Sequence, residues 1–265
     1  MSDIAPRSIA ALNALPPDEQ ARRYGSALPL PLLQRFNIQP ETFTDESGHA
    51  LLTINGKEGS ASVEVILRHT PTAPDPVFYG HLTDNLNGQI IILLMVINDP
   101  TSPRFDVDRL PDGAKTHFGT TQRNLPAEEA AMRAGLAPGQ VRAGLRILQP
   151  VLEAFENFVS GLGHTLYFIE PLAYHNAVLF EKYGFAYQLG RRWMESLNTR
   201  FAPGGDLRER LNGSTPFRLP EFADTIRGRS WAIHDGILGE PYTNVHMYKH
   251  IGKEAGVSTT TGLIW

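Results

Sequence analysis

The sequence contains no cysteine among its 265 residues. This absence excludes disulfide bonds, thiolate metal sites and cysteine nucleophiles, and it is typical of a protein in a reducing compartment. The chain also lacks a Gly-x-Ser-x-Gly elbow, a Walker loop and a dinucleotide-binding fingerprint. Motifs therefore give no support to a hydrolase, a nucleotide phosphatase or a dehydrogenase.

An excess of positive charge and long apolar runs are also missing. The formal net charge is -4, so bulk electrostatics indicate neither nucleic acid nor an anionic membrane as a partner. The longest apolar run, Ile90 to Ile97, is far shorter than the roughly 20 residues of a membrane-spanning helix. Met1 to Pro17 lacks a basic region followed by an apolar run, so no secretory signal is predicted. We predict a cytoplasmic protein without nucleic-acid or membrane partners, and a homodimer is left open.

The stretch from Gly139 to Leu189 is predicted to be one supersecondary unit. Apolar residues spaced by four and three indicate one face of a long helix: Val141, Leu145, Leu148, Leu152, Phe155, Val159 and Leu162. After the glycines that end this helix, Thr165 to Ile169 reads as a strand, Tyr174 to Tyr183 as a helix and Phe185 to Leu189 as a strand. This alternation is typical of α/β layers.

Four strands are predicted ahead of that unit, over residues 50–54, 60–67, 77–83 and 89–98. Asn55-Gly56 and the segment Asn85 to Gly88 are turn signals, so the strands should form an antiparallel meander. The fourth strand is almost wholly apolar, which predicts a central strand with both faces covered.

The two ends complete a three-part organisation. Residues 1–45 are predicted to form a helical arm, residues 46–190 the core, and residues 191–265 an extension that packs on the core. Asp99 to Leu125 is unusually long for a connection and is expected to be functional or disordered. The predicted fold class is α/β (α+β): a mixed, mostly antiparallel central sheet flanked by helices.

The order of elements and the segment from Asn176 to Phe185, which reads Asn-Ala-Val-Leu-Phe-Glu-Lys-Tyr-Gly-Phe, resemble the GNAT N-acetyltransferase superfamily. The resemblance covers about residues 46 to 190. It implies acetyl-CoA or another acyl-CoA as cofactor, with the pantetheine arm in a splay between the fourth and fifth strands, near Val96 and Ile97. The family binds the pyrophosphate at the start of the long helix, where backbone N–H groups are unpaired. The cofactor residues that the resemblance implies are Val96, Ile97, Gly139, Gln140, Val141, Arg142, Gly144 and Asn176.

The sequence departs from the family pattern at three points. Gln140 and Gly144 are one residue too far apart for the usual phosphate motif, and Pro138 removes one N–H donor. About 37 residues separate the fourth strand from the predicted long helix, where the family passes almost directly. Phe180 occupies the position of the family's frequent general acid, a tyrosine, and cannot donate a proton.

Three residues are candidates for catalysis. His175 follows a strand end and could take the amine proton, although it could equally be a solvated residue beside an N-cap at Asn176. Tyr183 could replace the missing acid or be a core aromatic residue. Glu170 could orient a water or bind a cationic amine, or be an edge charge.

Other patterns allow a metal or substrate site outside this resemblance. Asp106 and Asp108 lie on one side of an extended chain, where they could hold a metal or a basic substrate. His246 and His250 would share one face of a helix, as in zinc sites, although surface placement is more common. The segment Trp231 to Gly236 combines a large aromatic with polar groups, as a pocket or a packed tail would.

These observations lead to a first hypothesis, an N-acyltransferase that moves an acyl group from acyl-CoA to an amine of a small molecule or peptide. The alternative is a GNAT-fold binding or regulatory protein without CoA-dependent catalysis. A metal-dependent enzyme that uses His246 and His250 is a third hypothesis. The acceptor cannot be inferred from the sequence.

Overall fold

The computed structural model describes residues 6–116, 122–260 and 262–265. The strands are β1 Leu52–Asn55, β2 Ser62–Leu67, β3 Phe78–Asp84, β4 Ile90–Ile97, β5 Leu166–Ile169, β6 Ala186–Leu189 and β7 His246–His250. The helices in these residues are α1 Ile9–Asn13, α2 Pro17–Gly25, α3 Leu30–Arg35, α4 Leu125–Arg133, α5 Leu148–Gly161, α6 Tyr174–Lys182, α7 Arg191–Phe201, α8 Asp206–Glu209 and α9 Ile226–His234. A short 3-10 helix covers Pro220–Asp224.

The strands form a seven-stranded, mostly antiparallel sheet in the order β1-β2-β3-β4-β5-β7-β6. Strands β1 to β4 pair antiparallel in succession, and β5 runs parallel to β4. The predicted mixed α/β class and the four-stranded meander are therefore confirmed. No helix in the described ranges is both long enough and apolar enough to cross a membrane.

The chain divides into two compact units. Unit 1 comprises Met1–Thr101, Gly144–Glu170 and Tyr248–Glu254, and unit 2 comprises Ser102–Ala143, Pro171–Met247 and Ala255–Trp265. The predicted segments 1–45, 46–190 and 191–265 do not coincide with these units and stay a prediction about domains.

The buried core of unit 1 lies on one face of its strands. Alternate residues of β2, β3 and β4 point into it, including Val63, Val65, Phe78, Leu82 and Ile92. The apolar stripe of α5 covers the neighbouring strand, where the ring of Phe155 meets the ring of Tyr167 edge-on at 5.1 Å. On the opposite face of these strands most residues are half-buried, and Ile66 is buried.

The β4 prediction is wrong in one respect. Only Ile90 and Ile92 are buried in this apolar strand, and its other six residues are half-buried. The apolar composition of β4 therefore did not predict that both of its faces are covered. Residues from Leu93 to Ile97 are partly exposed to solvent.

The first hairpin turns later than predicted. Ser60 N–H donates to the carbonyl of Lys57, and Gly59 takes a positive φ of 67°, which glycine adopts at low cost. Gly56 has a different role, because a Cβ there would lie 2.8 Å from the side-chain oxygen of Asn13. The second turn is as predicted: Gly88 N–H donates to the carbonyl of Asn85.

The apolar spacing predicted a long helix from Val141 onwards, but the helix begins seven residues later. Val141 lies in a loop of unit 2, where its carbonyl accepts a 2.8 Å hydrogen bond from Phe105 N–H. Helix α5 starts at Leu148. Pro150 fits there because proline lacks an N–H and is tolerated only in the first helical turn.

The regular elements of unit 2 are mostly helices, and Trp231 of α9 lies in its core. This side chain is 1% exposed, stacks on Phe217 at 5.3 Å, and donates a 2.9 Å hydrogen bond from its indole nitrogen to the Leu136 carbonyl. The segment Trp231 to Gly236 therefore supplies core packing in unit 2. Helix α4 also belongs to this unit, and its residue Ala131 is fully buried.

Candidate functional site

The most distinctive feature of unit 1 is a split between β4 and β5. The parallel register joins Ile91 to Phe168 and Ile92 to Ile169, and the Glu170 N–H then donates a 3.2 Å hydrogen bond to the Ile92 carbonyl. Beyond Ile92, β4 continues to Ile97 with β3 as its partner. In the described part of the chain, this last segment of β4 has no strand on its β5 side.

A β-bulge in β4 lies at the same place. His81 is opposite Leu94 and Leu82 is opposite Ile92, so Leu93 is the extra residue without a strand partner. Bulges bend a strand, re-aim its side chains and end pairing. The bulge therefore accounts for the point at which β4 and β5 separate.

Two of the predicted cofactor positions, Val96 and Ile97, line the open segment of β4. A third, Gly144, lies beside them, because a Cβ on Gly144 would be 3.3 Å from the carbonyl oxygen of Ile97. The structure thus brings Gly144 next to Ile97, and it places Glu170 beside Ile92, where the split begins.

The half-buried face of this sheet carries a row of polar side chains. Residues that are directly opposite on neighbouring strands point to the same face, so Glu64, His81 and Leu94 form one row across β2, β3 and β4. Tyr79 and Val96 belong to the next row. We define the open face as Asn55, Ser62, Glu64, Tyr79, His81, Leu94, Val96 and Phe168.

Two groups of hydrogen-bonded side chains lie on the open face. The Tyr79 hydroxyl donates a 2.7 Å hydrogen bond to the Glu64 carboxylate, whose other oxygen accepts a 3.2 Å bond from the Asn55 amide. Burial and the Glu64 carboxylate raise the pKa of Tyr79, so the phenol stays protonated and keeps donating. His81 Nε2 lies 2.8 Å from the Ser62 hydroxyl.

Sequence reasoning missed Glu64 and His81. The signal was present, because Ser62 and Glu64 in β2, and Tyr79 and His81 in β3, are polar residues spaced by two. That spacing places them on one face of adjacent strands, away from the strand ends and helix termini where the other candidate residues lie.

His175 is placed quite differently from its predicted role. It lies in α6 and is 5% exposed, with Nδ1 2.8 Å from the hydroxyl of Ser230 in α9. Burial, with smaller contributions from the positive charges of His234 and Arg227, lowers the pKa of His175 to about 3. Such an imidazole stays neutral in the interior of unit 2. The interpretation as a solvated residue beside an Asn176 cap is wrong, because the N-cap of α6 is Ala173.

The other α6 positions also belong to unit 2. Asn176 is the third residue of the helix, and Tyr183 is its half-buried C-cap. The ring of Phe180 is buried and packs 5.1 Å from the ring of Phe185. Phe180 is therefore a core residue of unit 2. The roles of Asn176 in cofactor binding and of Tyr183 in catalysis stay predictions.

The expected phosphate turn does not form the start of a helix. Gly139 has a φ of 82°, and the side-chain oxygen of Gln140 accepts a 2.7 Å hydrogen bond from Ala137 N–H. Arg142 donates to the carbonyl of Ser102. Because α5 begins at Leu148, the helix-dipole reason for an anion at this turn does not apply.

The predicted metal-ligand patterns do not converge. Arg104 is paired with both Asp106 and Asp108, so a cation already occupies the space between these carboxylates. His246 and His250 are the two ends of strand β7 and not of a helix. A rise of about 3.3 Å per residue puts them roughly 13 Å apart along the strand. Within the described ranges, no group of three or more His, Asp or Glu residues could hold a metal.

Unit 2 contains a cavity of about 520 Å³ between α4 and the loop from residue 213 to 219. Glu129, Arg133 and Thr215 are among its lining residues. The Thr215 hydroxyl donates a 2.9 Å hydrogen bond to Asp235, which is 2.8 Å from Arg123. The volume lies within the range of small-molecule sites, about 300–1,000 Å³.

Comparisons of the chain with protein-family models, with curated proteins and with solved structures returned no match. Function therefore has to be argued from the residues of this chain.

Proposed function

We propose that the chain is a GNAT-like N-acyltransferase that transfers an acetyl or longer acyl group from acyl-CoA to an amine of a small molecule or peptide. The split between β4 and β5 carries the proposal. The superfamily that the sequence resembles holds the pantetheine arm in such a splay, and the order of elements from β1 to β6 agrees with that resemblance. A cytoplasmic location is part of the proposal.

The open edge of β4 suits an extended amide-containing chain. A strand edge offers backbone N–H and C=O groups, and an added extended chain binds to them as another strand would. Pantetheine carries two amides and one hydroxyl on an otherwise aliphatic chain, so the half-buried Val96 and Ile97 complement its aliphatic parts. Gly144 is the small residue beside Ile97, which lets the neighbouring backbone come close.

Catalysis in this scheme is mainly proximity and orientation of the thioester and the amine. The amine nitrogen attacks the thioester carbon, the C–S bond breaks, and the CoA thiolate leaves. Of the predicted catalytic residues, Glu170 lies at the split, whereas His175 is buried in unit 2. The proposal therefore places Glu170, and not His175 or Tyr183, beside the reacting groups.

A thermal-shift titration tests the proposal. Acetyl-CoA, CoA and longer acyl-CoAs should raise the Tm, because a ligand that binds only the folded state stabilises it by mass action. A Val96→Trp substitution should abolish the shift by filling the split. Thr53→Trp, at an exposed position of β1, is the matched control and should keep the shift.

The second candidate is a binding or regulatory protein with this fold and no CoA-dependent catalysis. The cavity of about 520 Å³ in unit 2 favours it, as do Phe180 in the core and the turn at Gln140 that does not begin a helix. No Tm shift with any acyl-CoA at millimolar concentration would reject the acyltransferase and support this candidate.

A further inference from the structure

The first turn of α9 borders another cavity of unit 2, with a volume of about 200 Å³. Met132 of α4 lines both this cavity and the larger one described above. Three aromatic side chains, those of Phe222, Trp231 and Trp265, form part of its wall. Among the described residues that line it, Arg227 is the one with a charged side chain. The cavity therefore combines flat apolar walls with a single positive charge.

We propose that this cavity binds a small aromatic carboxylate. The ring of the ligand packs against the aromatic side chains of the wall, and its carboxylate accepts hydrogen bonds from the guanidinium of Arg227. The site lies wholly in unit 2, so it does not depend on the proposed acyltransferase function, whose cofactor lies in the split of unit 1.

The guanidinium of Arg227 has donors to spare. It donates a hydrogen bond to the carbonyl of Gly135, and among the described residues its side chain makes no other hydrogen bond and no ion pair. Arg208 of the same unit, by contrast, pairs with Asp224. A guanidinium has five N–H donors in a fork that matches the two oxygens of a carboxylate. A carboxylate in the cavity would therefore supply the acidic partner that Arg227 lacks.

The backbone around Arg227 holds this side chain in place. Gly135 has a φ of 81°, which favours glycine, and a Cβ there would lie 3.0 Å from Nη1 of Arg227. The Thr225 hydroxyl accepts a 3.0 Å hydrogen bond from Gly228 N–H, so the chain caps α9 with its own side chain. The positive charge offered to an anion is therefore that of the guanidinium and not that of the helix terminus.

The aromatic wall is held in place as well. Trp231 stacks on Phe217 at 5.3 Å, and its indole nitrogen donates to the Leu136 carbonyl at 2.9 Å. Trp265 is 39% exposed, and the ammonium of Lys182 lies 5.3 Å from the centre of its ring. Aromatic rings attract another ring in offset or edge-on contact. The ammonium beside Trp265 adds a second positive charge, which favours an anionic ligand.

The volume sets the size of the ligand. About 200 Å³ lies below the range of drug-sized sites, about 300–1,000 Å³. An apolar cavity of about 150 Å³ accommodates benzene. One ring with a short acidic arm therefore fits, whereas a nucleotide or a folded peptide does not. The charge of Arg227 disfavours an aromatic amine of the same size.

The experiment compares phenylacetate with phenylacetamide, its neutral isostere, and with acetate, which lacks the ring. Purified full-length protein is titrated with each compound, and the indole N–H signals are followed by NMR. The signals of Trp231 and Trp265 should shift, whereas Trp193, which lies on α7 and does not line the cavity, should keep its signal. The Kd of phenylacetate should be about 10-fold or more below that of phenylacetamide, the factor expected for a hydrogen bond to a charged group. Acetate should bind more weakly than phenylacetate, because it buries no ring.

The charge is tested with Arg227→Gln, which should bring the ratio of the two Kd values close to one and leave the Kd of phenylacetamide unchanged. Arg192→Gln is the matched control. It removes another positive charge of unit 2, at an exposed position outside the cavity, and should keep the wild-type ratio.

The cavity itself is tested with Met132→Trp, which should fill it and weaken binding of both ring compounds by about 10-fold or more. Ala134→Trp, at an exposed position close by that does not line the cavity, is the control and should bind both as the wild type does.

Three results would each overturn the proposal: no binding of phenylacetate at millimolar concentration, equal Kd values for phenylacetate and phenylacetamide in the wild type, or a preference that survives Arg227→Gln. The Tm of each variant shows whether it has folded. If Arg227→Gln does not fold, the wild-type ratio and the pair Met132→Trp and Ala134→Trp decide. None of these results bears on whether acetyl-CoA binds in unit 1.

Discussion

The imidazole of His175 and the hydroxyl of Ser230 share a 2.8 Å hydrogen bond inside unit 2. Both residues are almost fully buried, at 5% and 2% exposure. Desolvation therefore disfavours the charged form of the imidazole and lowers the pKa of His175 to about 3. The pair links α6 to α9.

The first prediction concerns the pH dependence of stability. The unfolded chain protonates His175 near its ordinary pKa of 6.5, whereas the folded protein does so only near 3. Stability is therefore full above pH 6.5 and falls as the pH is lowered towards 3, by at most about 1.4 kcal/mol per pH unit from this group. His175→Gln should lose stability less steeply in urea unfolding between pH 7 and pH 4. Parallel curves for the two proteins would mean that His175 is solvated.

A second prediction concerns Gly205, which precedes α8. Its backbone is tightly packed, since a Cβ there would lie 2.1 Å from the carbonyl oxygen of Arg200. Gly205→Ala should cost about 1–3 kcal/mol of unfolding free energy, because a backbone carbonyl cannot move away without distorting α7. Gly161→Ala, at the open end of α5, has no atom within 4 Å of its Cβ and should be neutral or stabilise by up to about 1 kcal/mol. Equal effects of the two substitutions in denaturant unfolding would contradict the contact.

Sequence patterns predicted the strands of unit 1 well, because local turn chemistry set their order. The segment Asn85 to Gly88 has an asparagine that accepts backbone hydrogen bonds and a glycine with a positive φ, and the turn formed where this chemistry requires it. The parallel pairing of β4 with β5 could be expected only from the family resemblance, since nothing local specifies it.

The start of α5 could not be predicted from spacing alone. Val141 and Leu145 continue the apolar series of the helix, but they are buried or half-buried for other reasons. Val141 packs against the cluster of Val107, Ala131 and Leu136 in unit 2. Val141 and Leu145 therefore have helical spacing although they pack outside the helix. Pro150 was the local residue that indicated a later helix start, because proline is tolerated only in the first helical turn.

The candidate site was harder to predict than the fold, since it depends on which strands are neighbours. Glu64 and His81 are seventeen positions apart in the sequence, and only the register of β2 with β3 makes them opposite each other. His175 had attractive local features at a strand end, but whether it is exposed depends on α9, which lies more than fifty residues later.

The last prediction concerns Arg123, which bridges two buried carboxylates in unit 2. Its guanidinium contacts Glu128 at 2.5 Å and Asp235 at 2.8 Å, and these acids are 3% and 8% exposed. Burial acts to raise the pKa of Glu128, but hydrogen bonds from His234 and Arg123 outweigh it and lower that pKa. The pKa of Asp235 is lowered against burial too, by hydrogen bonds from Arg123 and Thr215.

Arg123→Gln removes the positive charge that these two acids share, so unfolding free energy should fall by about 3–5 kcal/mol at pH 7. The wild type has lowered carboxyl pKa values, so it keeps this stability above the ordinary carboxyl pKa and loses it as the pH falls through the lowered values. In the variant, the hydrogen bonds from Arg123 no longer oppose the effect of burial, so the pKa values of Glu128 and Asp235 are higher than in the wild type. Lowering the pH from 7 to 5 should therefore recover part of the lost unfolding free energy. Arg208→Gln, which breaks an exposed pair with Asp224, is the matched control and should cost less than about 1 kcal/mol. A similar small loss for both variants in urea unfolding would show that Arg123 does not compensate the buried charges.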